Sequence, residues 1–294
     1  MTTPAAAEAA PAPVPASASD AHAASAPPDF SGDVAAYYAD YRRGYPPPVL
    51  DALRTAFALD AHPAIGDLAL DLGCGTGQLA LPLAAHVRTV IGMDPEPDML
   101  RQARAAADRD GVHNALWLLG TDADVPALSA LLPGRRPLGV TVIGNAIHWM
   151  RPDELFRTLR PLTRPGGGVA VIANGTPVWA QDTDWSRALR SVLEDHFGRP
   201  AATSCGTATD DRDRYARALA AAGFADVGET VLDYEDALTP DQLLGTVYSA
   251  IPAPELPAPA ERPAFAARLL AALPEPGDRG YPEQVRVSVL TGRA

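Results

Sequence analysis

The apolar run Leu68 to Leu72 feeds directly into Gly73-Cys74-Gly75-Thr76-Gly77. Three alternating glycines behind a buried strand permit left-handed backbone and let a ligand approach the main chain closely. A helix N-terminus, which favours anionic groups, follows such a turn. Dinucleotide-binding folds use G-x-G-x-x-G, which would place glycine at 78, but that residue is Gln78. The third glycine is Gly77 and the turn is led by Asp71, giving an acid followed by G-x-G-x-G. A glycine turn without any ligand is the alternative.

The surrounding pattern predicts repeated strand–helix alternation. Strands are expected at Leu68–Leu72, Thr89–Met93, Ala115–Leu119, Gly139–Gly144 and Gly168–Ala173. Helices are expected between them at Gln78–His86, Pro97–Arg109 and Pro152–Leu162. Short apolar strands separated by amphipathic helices argue for a parallel, doubly wound α/β sheet. Two helices precede it, Ser31–Tyr41 and about Pro48–Phe57. Further on come a helix at Asp210–Ala222 that stops at Gly223, and strands at Val227–Tyr234 and Val285–Leu290. Two insertions, near 176–204 and 239–282, contain helices at about Trp185–Phe197, from Thr239, and at about Pro263–Leu273. They are expected to lie as lids over one end of the sheet. Residues 1–28 are almost entirely Ala, Pro, Ser and Thr with almost no large apolar side chain, so disorder is expected there. That stretch lacks the basic start of a secretory signal. The folded domain is then 29–294.

Composition excludes several chemistries. Asp plus Glu number 36 against 24 Lys plus Arg, a formal net charge of -12. Such a chain is a poor partner for phosphate backbones or anionic lipid. Every Lys-or-Arg position is Arg, so Schiff-base lysine chemistry and a phosphate-loop lysine are absent. Two cysteines, Cys74 and Cys205, make neither a disulfide framework nor a cysteine zinc site. No metal and no membrane span are expected.

The second strand ends at Asp94, where a carboxylate can accept both hydroxyls of a ribose; a helix cap is the alternative. Pro95 to Leu100 follows, with Met99 placed for an adenine face or for core packing. Other segments continue the pattern. They are Tyr41-Arg42-Arg43-Gly44-Tyr45-Pro46, Gly120-Thr121-Asp122-Ala123-Asp124-Val125-Pro126, Val142 to Trp149, and Leu162 to Gly167. Their order and spacing resemble class I S-adenosylmethionine-dependent methyltransferases of the small-molecule type, from about Phe30 to Ala173.

The resemblance implies a Rossmann-like, seven-stranded sheet, mostly parallel with an antiparallel C-terminal strand. It implies S-adenosyl-L-methionine as cofactor. Gly73, Cys74, Gly75 and Gly77 would hold its methionyl part and Asp94 its ribose. Asp122 would accept from the adenine amino group and Ala123 would donate its N–H to the ring. Arg42 would pair with the carboxylate, with Arg43 as the alternative, and Asp71 would hydrogen-bond near the amino group or orient the turn. Tyr41, Pro95, Met99 and Asn145 complete the implied cofactor set. His148 is the candidate general base; the alternative is that it shapes the cofactor pocket. An acceptor wall is expected from Tyr37, Tyr38, Trp149, Trp179, Trp185 and Tyr248.

The function so implied is methyl transfer to a small-molecule acceptor, including specialised metabolites, in a bacterial cytoplasm. Two other readings remain open. One is a methyltransferase-like fold using the cofactor in a non-methylating reaction such as cyclisation. The other is a non-catalytic cofactor-binding protein.

Overall fold

The computed structural model describes residues 29–59, 68–132, 137–201, 206 and 208–294. The N-terminal stretch 1–28, expected to be disordered, and Cys205 lie outside them. One seven-stranded sheet organises the chain, in the order β3-β2-β1-β4-β5-β7-β6. The strands are β1 (Leu68–Leu72), β2 (Thr89–Asp94), β3 (Ala115–Leu119), β4 (Leu138–Gly144), β5 (Thr163–Asn174), β6 (Ala225–Leu238) and β7 (Tyr281–Arg293). Strands β1 to β5 pair in parallel. Strand β7 runs antiparallel to both neighbours, as expected for the C-terminal strand.

Strand β1 is buried at all five positions because it sits in mid-sheet with helices on both faces. One face packs α5 (Val125–Leu131), α6 (Pro152–Leu159) and α8 (Thr209–Ala221), with Leu70, Leu72, Ile143, Phe156, Tyr215 and Leu219 among the buried side chains. The other face packs α2 (Pro47–Phe57) and α3 (Ala80–Leu83) around Leu53, Phe57, Leu83, Val140 and Val287. Helix α4 (Pro97–Asp110) follows β2.

A third core unites what the sequence presents as separate pieces. Helices α7 (Asp184–Phe197), α9 (Pro240–Tyr248) and α10 (Arg262–Ala272) bury Trp185, Leu189, Leu243, Tyr248, Phe265 and Tyr281 together, and Tyr37 of α1 (Asp33–Tyr41) packs against them. The α1–α9 approach depends on Gly245: a Cβ there would lie 2.1–2.4 Å from the Tyr41 ring. The two insertions and the N-terminal helix thus form one helical layer.

Several elements differ from expectation, among them β6 and β7, which run longer at both ends than Val227–Tyr234 and Val285–Leu290. The helix expected from Gln78 is α-helical only over Ala80–Leu83, then tightens to a 3-10 turn at Ala84–His86. Strand β5 starts at Thr163, five residues early. Thr163 pairs with Leu138, and Pro165-Gly166-Gly167 is accommodated as a register shift within the strand. Helix α5 was not expected because seven residues give a weak period. A 3-10 turn at Asp122–Asp124 leads into it, and that turn carries a capping box, in which Thr121 Oγ1 accepts from Ala123 N and Asp124 Oδ2 accepts from Thr121 N.

Candidate active site

The C-terminal ends of β1, β2 and β4 converge on the glycine turn. Gly73, Gly75 and Gly77 have φ of 67°, 53° and 87°, the left-handed region where a Cβ is strained. A Cβ on Gly73 would also stand 2.5 Å from the Ala146 Cβ, so the turn passes under the loop after β4. Gly73 N and Cys74 N both donate to Met93 O, at 2.8 and 3.1 Å. Asp94 then clamps the turn: one carboxylate oxygen accepts from Gly75 N and the other from Glu96 N, each at 2.9 Å.

Beside this turn opens a cleft of about 650 Å³. Its wall includes Gly73, Gly75, Asp94, Pro95, Met99, Asp122 and Asn145, all implied cofactor residues. Four carboxylates, Asp29, Asp94, Glu96 and Asp122, line it, and no arginine or histidine does. That field suits a ligand carrying positive charge. Burial raises the Asp94 pKa, opposed by its two backbone hydrogen bonds. Asp71 lies deeper, at the end of β1. Burial, and then the Asp94 charge, push it up to about 8. Its Oδ2 is buried without a hydrogen-bond partner among the described residues.

A second cavity of about 490 Å³ adjoins the cleft. Phe30, Tyr38, Asn145 and Trp149 line both. Asn145 has a φ of 50°, a left-handed residue at the end of β4. Its Oδ1 accepts from Asn174 N at 2.8 Å, tying that bend to the end of β5. His148, Trp179, Arg42 and Arg43 also face the second cavity. The His148 ring is half-buried, its Nδ1 has no partner among the described residues, and burial lowers its pKa to about 4.

Several expected site residues stand elsewhere or are already engaged. Arg42 and Arg43 line the second cavity rather than the cleft. Tyr41 packs against Gly245 and donates from its hydroxyl to Asp241 at 3.3 Å, as part of the α1–α9 contact. The Ala123 N–H is held by Thr121 Oγ1 at 3.3 Å inside the capping box. Asp122 Oδ2 accepts from Arg151 N at 3.1 Å, leaving its other oxygen for a ligand. Gly77 packs toward Trp117, and the Cys74 thiol, pushed up by burial, lies under the turn against Gly92.

Of the expected acceptor wall, Tyr38, Trp149 and Trp179 face the second cavity. Tyr37, Trp185 and Tyr248 belong to the third core instead. Tyr37 and Tyr248 rings lie 4.9 Å apart, and Trp185 Nε1 donates to Pro282 O at 3.0 Å. Helical spacing marks an aromatic as inward-facing but does not say whether inward means a core or a cavity.

Sequence reasoning missed Phe30 and Glu283. Phe30 sits in the shared wall. Glu283 is 3% exposed in β7 and pairs with Arg43, while Gln181 Nε2 donates to it at 2.6 Å. A signal did exist: Glu283 holds an inward position of a period-two strand, between buried Tyr281 and Val285. Among the described residues, no group of three His, Cys, Asp or Glu is arranged to hold a metal, and no helix is long and apolar enough to cross a membrane.

Known proteins give the same picture. A methyltransferase-domain family model matches residues 69–167. An uncharacterized methyltransferase of Mycobacterium tuberculosis is 28% identical over 162 residues, 55% of this chain and 58% of that protein. A probable cobalt-precorrin-6B C(15)-methyltransferase (decarboxylating) of Methanothermobacter thermautotrophicus is 28% identical over 128 residues, 44% of this chain and 63% of that one. The chain therefore spans about six-tenths of the length of these relatives. A solved structure described as a candidate type II methyltransferase, from Anaeromyxobacter dehalogenans, superposes with a TM-score of 0.52 at 23% identity. The superposition covers 86% of this chain and 98% of that one, which shows the shared fold. With this sheet order and this acid-led glycine turn, residues 69–167 match a methyltransferase domain, and the chain is similar in sequence and fold to class I S-adenosylmethionine-dependent methyltransferases.

Proposed function

We propose that the chain transfers the methyl group of S-adenosylmethionine to a small organic acceptor by direct displacement. The observation that carries this reading is the wall shared by the two cavities. A carboxylate-lined cleft and an aromatic chamber meet at Phe30, Tyr38, Asn145 and Trp149. That arrangement brings two ligands face to face and excludes water between them.

The residues of the cleft fit the cofactor. When bound, S-adenosylmethionine supplies an electrophilic methyl group on a sulfonium. Asp94 spends one lone pair of each oxygen on the turn and retains others for ribose hydroxyls. The free oxygen of Asp122 suits an adenine amino group, with Pro95 and Met99 against the ring. The bare Gly73 and Gly75 backbone leaves room for the methionyl part, and the four acids complement the positive charge. Residues 29–294 act in this reading as one catalytic domain, with α7, α9 and α10 as its lid.

His148 acts as a neutral polar wall. A group with a pKa of about 4 is a weak proton acceptor, which disfavours His148 as a general base. The charge of -12 disfavours a nucleic-acid acceptor. A specialised metabolite in a bacterial cytoplasm accords with the arginine-only composition, rich in Ala and Pro.

Two measurements test the reading. Calorimetric titration should show binding of S-adenosylmethionine and none of NAD; the reverse result would sink it. Incubation with methyl-labelled cofactor and a panel of small acceptors should yield S-adenosylhomocysteine. Turnover without that product would favour a non-methylating reaction.

A further inference from the structure

A third space adjoins the aromatic chamber. It is a groove of about 260 Å³, and Trp179 and Ala250 line both it and the chamber. Tyr38 and Trp149 stand between the chamber and the cleft in the same way. Cleft and groove have no wall in common, so the three spaces lie in the order cleft, chamber, groove. That order follows from the side chains they have in common, wherever one space ends and the next begins.

The groove is a seam left open in the third core. Leu193 and Phe197 of α7 form one bank, and Val247 of α9 with Ile251 just beyond it forms the other. Among the described residues that line it, only Arg199 and Glu255 carry charge. They satisfy each other: Arg199 Nη1 donates to Glu255 Oε1 at 3.1 Å, and the guanidinium stands 5.6 Å from the centroid of the Phe197 ring. An occupant that brought its own charge would have to be desolvated against apolar banks with no group left to answer it. The groove is also smaller than the roughly 300–1,000 Å³ of self-standing ligand pockets, which suits an annex to the chamber. The partition between them is anchored. Ala180 N donates to Pro177 O at 2.8 Å to close the turn that carries Trp179, and Val178 beside it is buried in the third core. Its small member is Ala250, where a chain passes with least displacement.

Resting on the methyl-transfer reading, we propose that the acceptor carries an uncharged apolar tail, which leaves the chamber between Trp179 and Ala250 and lies in the groove between α7 and α9. The reacting end then stays beside Trp149, next to the cofactor, and the groove selects acceptors by the length of the tail. Trp179, Ala250 and Phe197 are specificity-determining residues in this arrangement and touch no reacting atom.

The test uses 4-ethylphenol and 4-hexylphenol, titrated into the full chain saturated with S-adenosylhomocysteine. A methylene moved from water into apolar surroundings gains about fourfold in affinity, so the wild type should prefer the hexyl compound by roughly thirtyfold or more, after the cost of ordering the tail. Two variants fill the groove from different sides: Ala201→Trp, just beyond α7, and Ala250→Leu, just beyond α9. Each should cut the preference to below about fivefold. Melting curves show which variants are folded, and either one suffices. A wild-type preference below about threefold, or binding of neither compound, overturns the proposal. So does a preference that survives in a folded variant, which would place the tail elsewhere, and so does a chain whose groove is closed by self-association in sedimentation. Failure of the wild type to bind S-adenosylmethionine would instead strike the methyl-transfer reading.

Discussion

Asp94 accepts the Gly75 N–H at 2.9 Å, so the acid that ends β2 holds the turn that ends β1. One carboxylate thereby shapes the backbone of the cleft and lines its wall. Replacing Asp94 by Asn keeps one acceptor oxygen and supplies an N–H₂ where an acceptor is required. Each lost hydrogen bond to a charged group is worth about 1.5–3 kcal/mol. Asp94→Asn should weaken S-adenosylmethionine binding by roughly 10- to 100-fold, read by calorimetry. Unchanged affinity would remove Asp94 from the ribose site.

Gly73 tests the turn itself. Alanine there combines a left-handed φ with a 2.5 Å approach to the Ala146 Cβ, and neither atom sits on a flexible side chain. Gly73→Ala should destabilise the fold by about 1–3 kcal/mol and abolish measurable cofactor binding. A variant that melts and binds like wild type would mean that the loop after β4 yields easily.

The buried acid Asp71 makes stability depend on pH. Its folded pKa of about 8 lies above the ordinary carboxylate value, so between those limits the native state holds more protons than the unfolded chain. The Asp71 contribution therefore favours folding at low pH and is lost as pH rises toward 8. Asp71→Asn, which keeps the shape and carries no charge, should gain stability over wild type progressively from pH 5 to 8. Denaturant midpoints at several pH values read this directly; parallel curves for the two proteins would contradict it.

His148 runs the other way. Its pKa is lowered to about 4, so below the ordinary histidine value the unfolded chain takes up the proton first, and the His148 contribution falls as pH drops from about 6.5 to 4. As a neutral group throughout the physiological range, it should give the rate profile no inflection between pH 6 and 7. His148→Ala should lower kcat less than about tenfold, short of the 10²–10⁴ that a general base contributes. A larger loss together with an inflection near 6.5 would restore it as the base.

Two ion pairs separate buried from exposed electrostatics. Glu283 is 3% exposed beneath Arg43, whereas Arg286 and Asp233 pair on the open surface. Glu283→Gln leaves a partly buried guanidinium short of one of its two acids and should cost about 3 kcal/mol, at the lower end for a broken buried pair. Arg286→Gln should leave the melting temperature unchanged, because water screens that pair. Similar melting shifts in the two variants would refute the distinction.

The sequence by itself determined the sheet and the cleft. The glycine turn and the acids at 94 and 122 are local: each sits at or just after a strand end, and strand ends follow from short apolar runs between turn residues. The wall of the cleft accordingly contains Gly73, Gly75, Asp94, Met99 and Asp122 as read from the chain alone. Only tertiary structure decided which aromatics face a cavity. Tyr37 and Tyr38 are neighbours in one helix, yet one packs into the third core and the other lines both cavities. The choice is made by α9 and α10, some 200 residues later, which arrive to bury the Tyr37 face and leave the Tyr38 face open. The same holds for Arg42 and Arg43. Adjacent in sequence and identical in chemistry, they differ because Glu283 and Asp236 come from distant strands to neutralise one of them, while Ser249 braces the other. Periodicity records that a side chain is withdrawn from solvent; what it meets there is set by contacts between segments far apart in the chain.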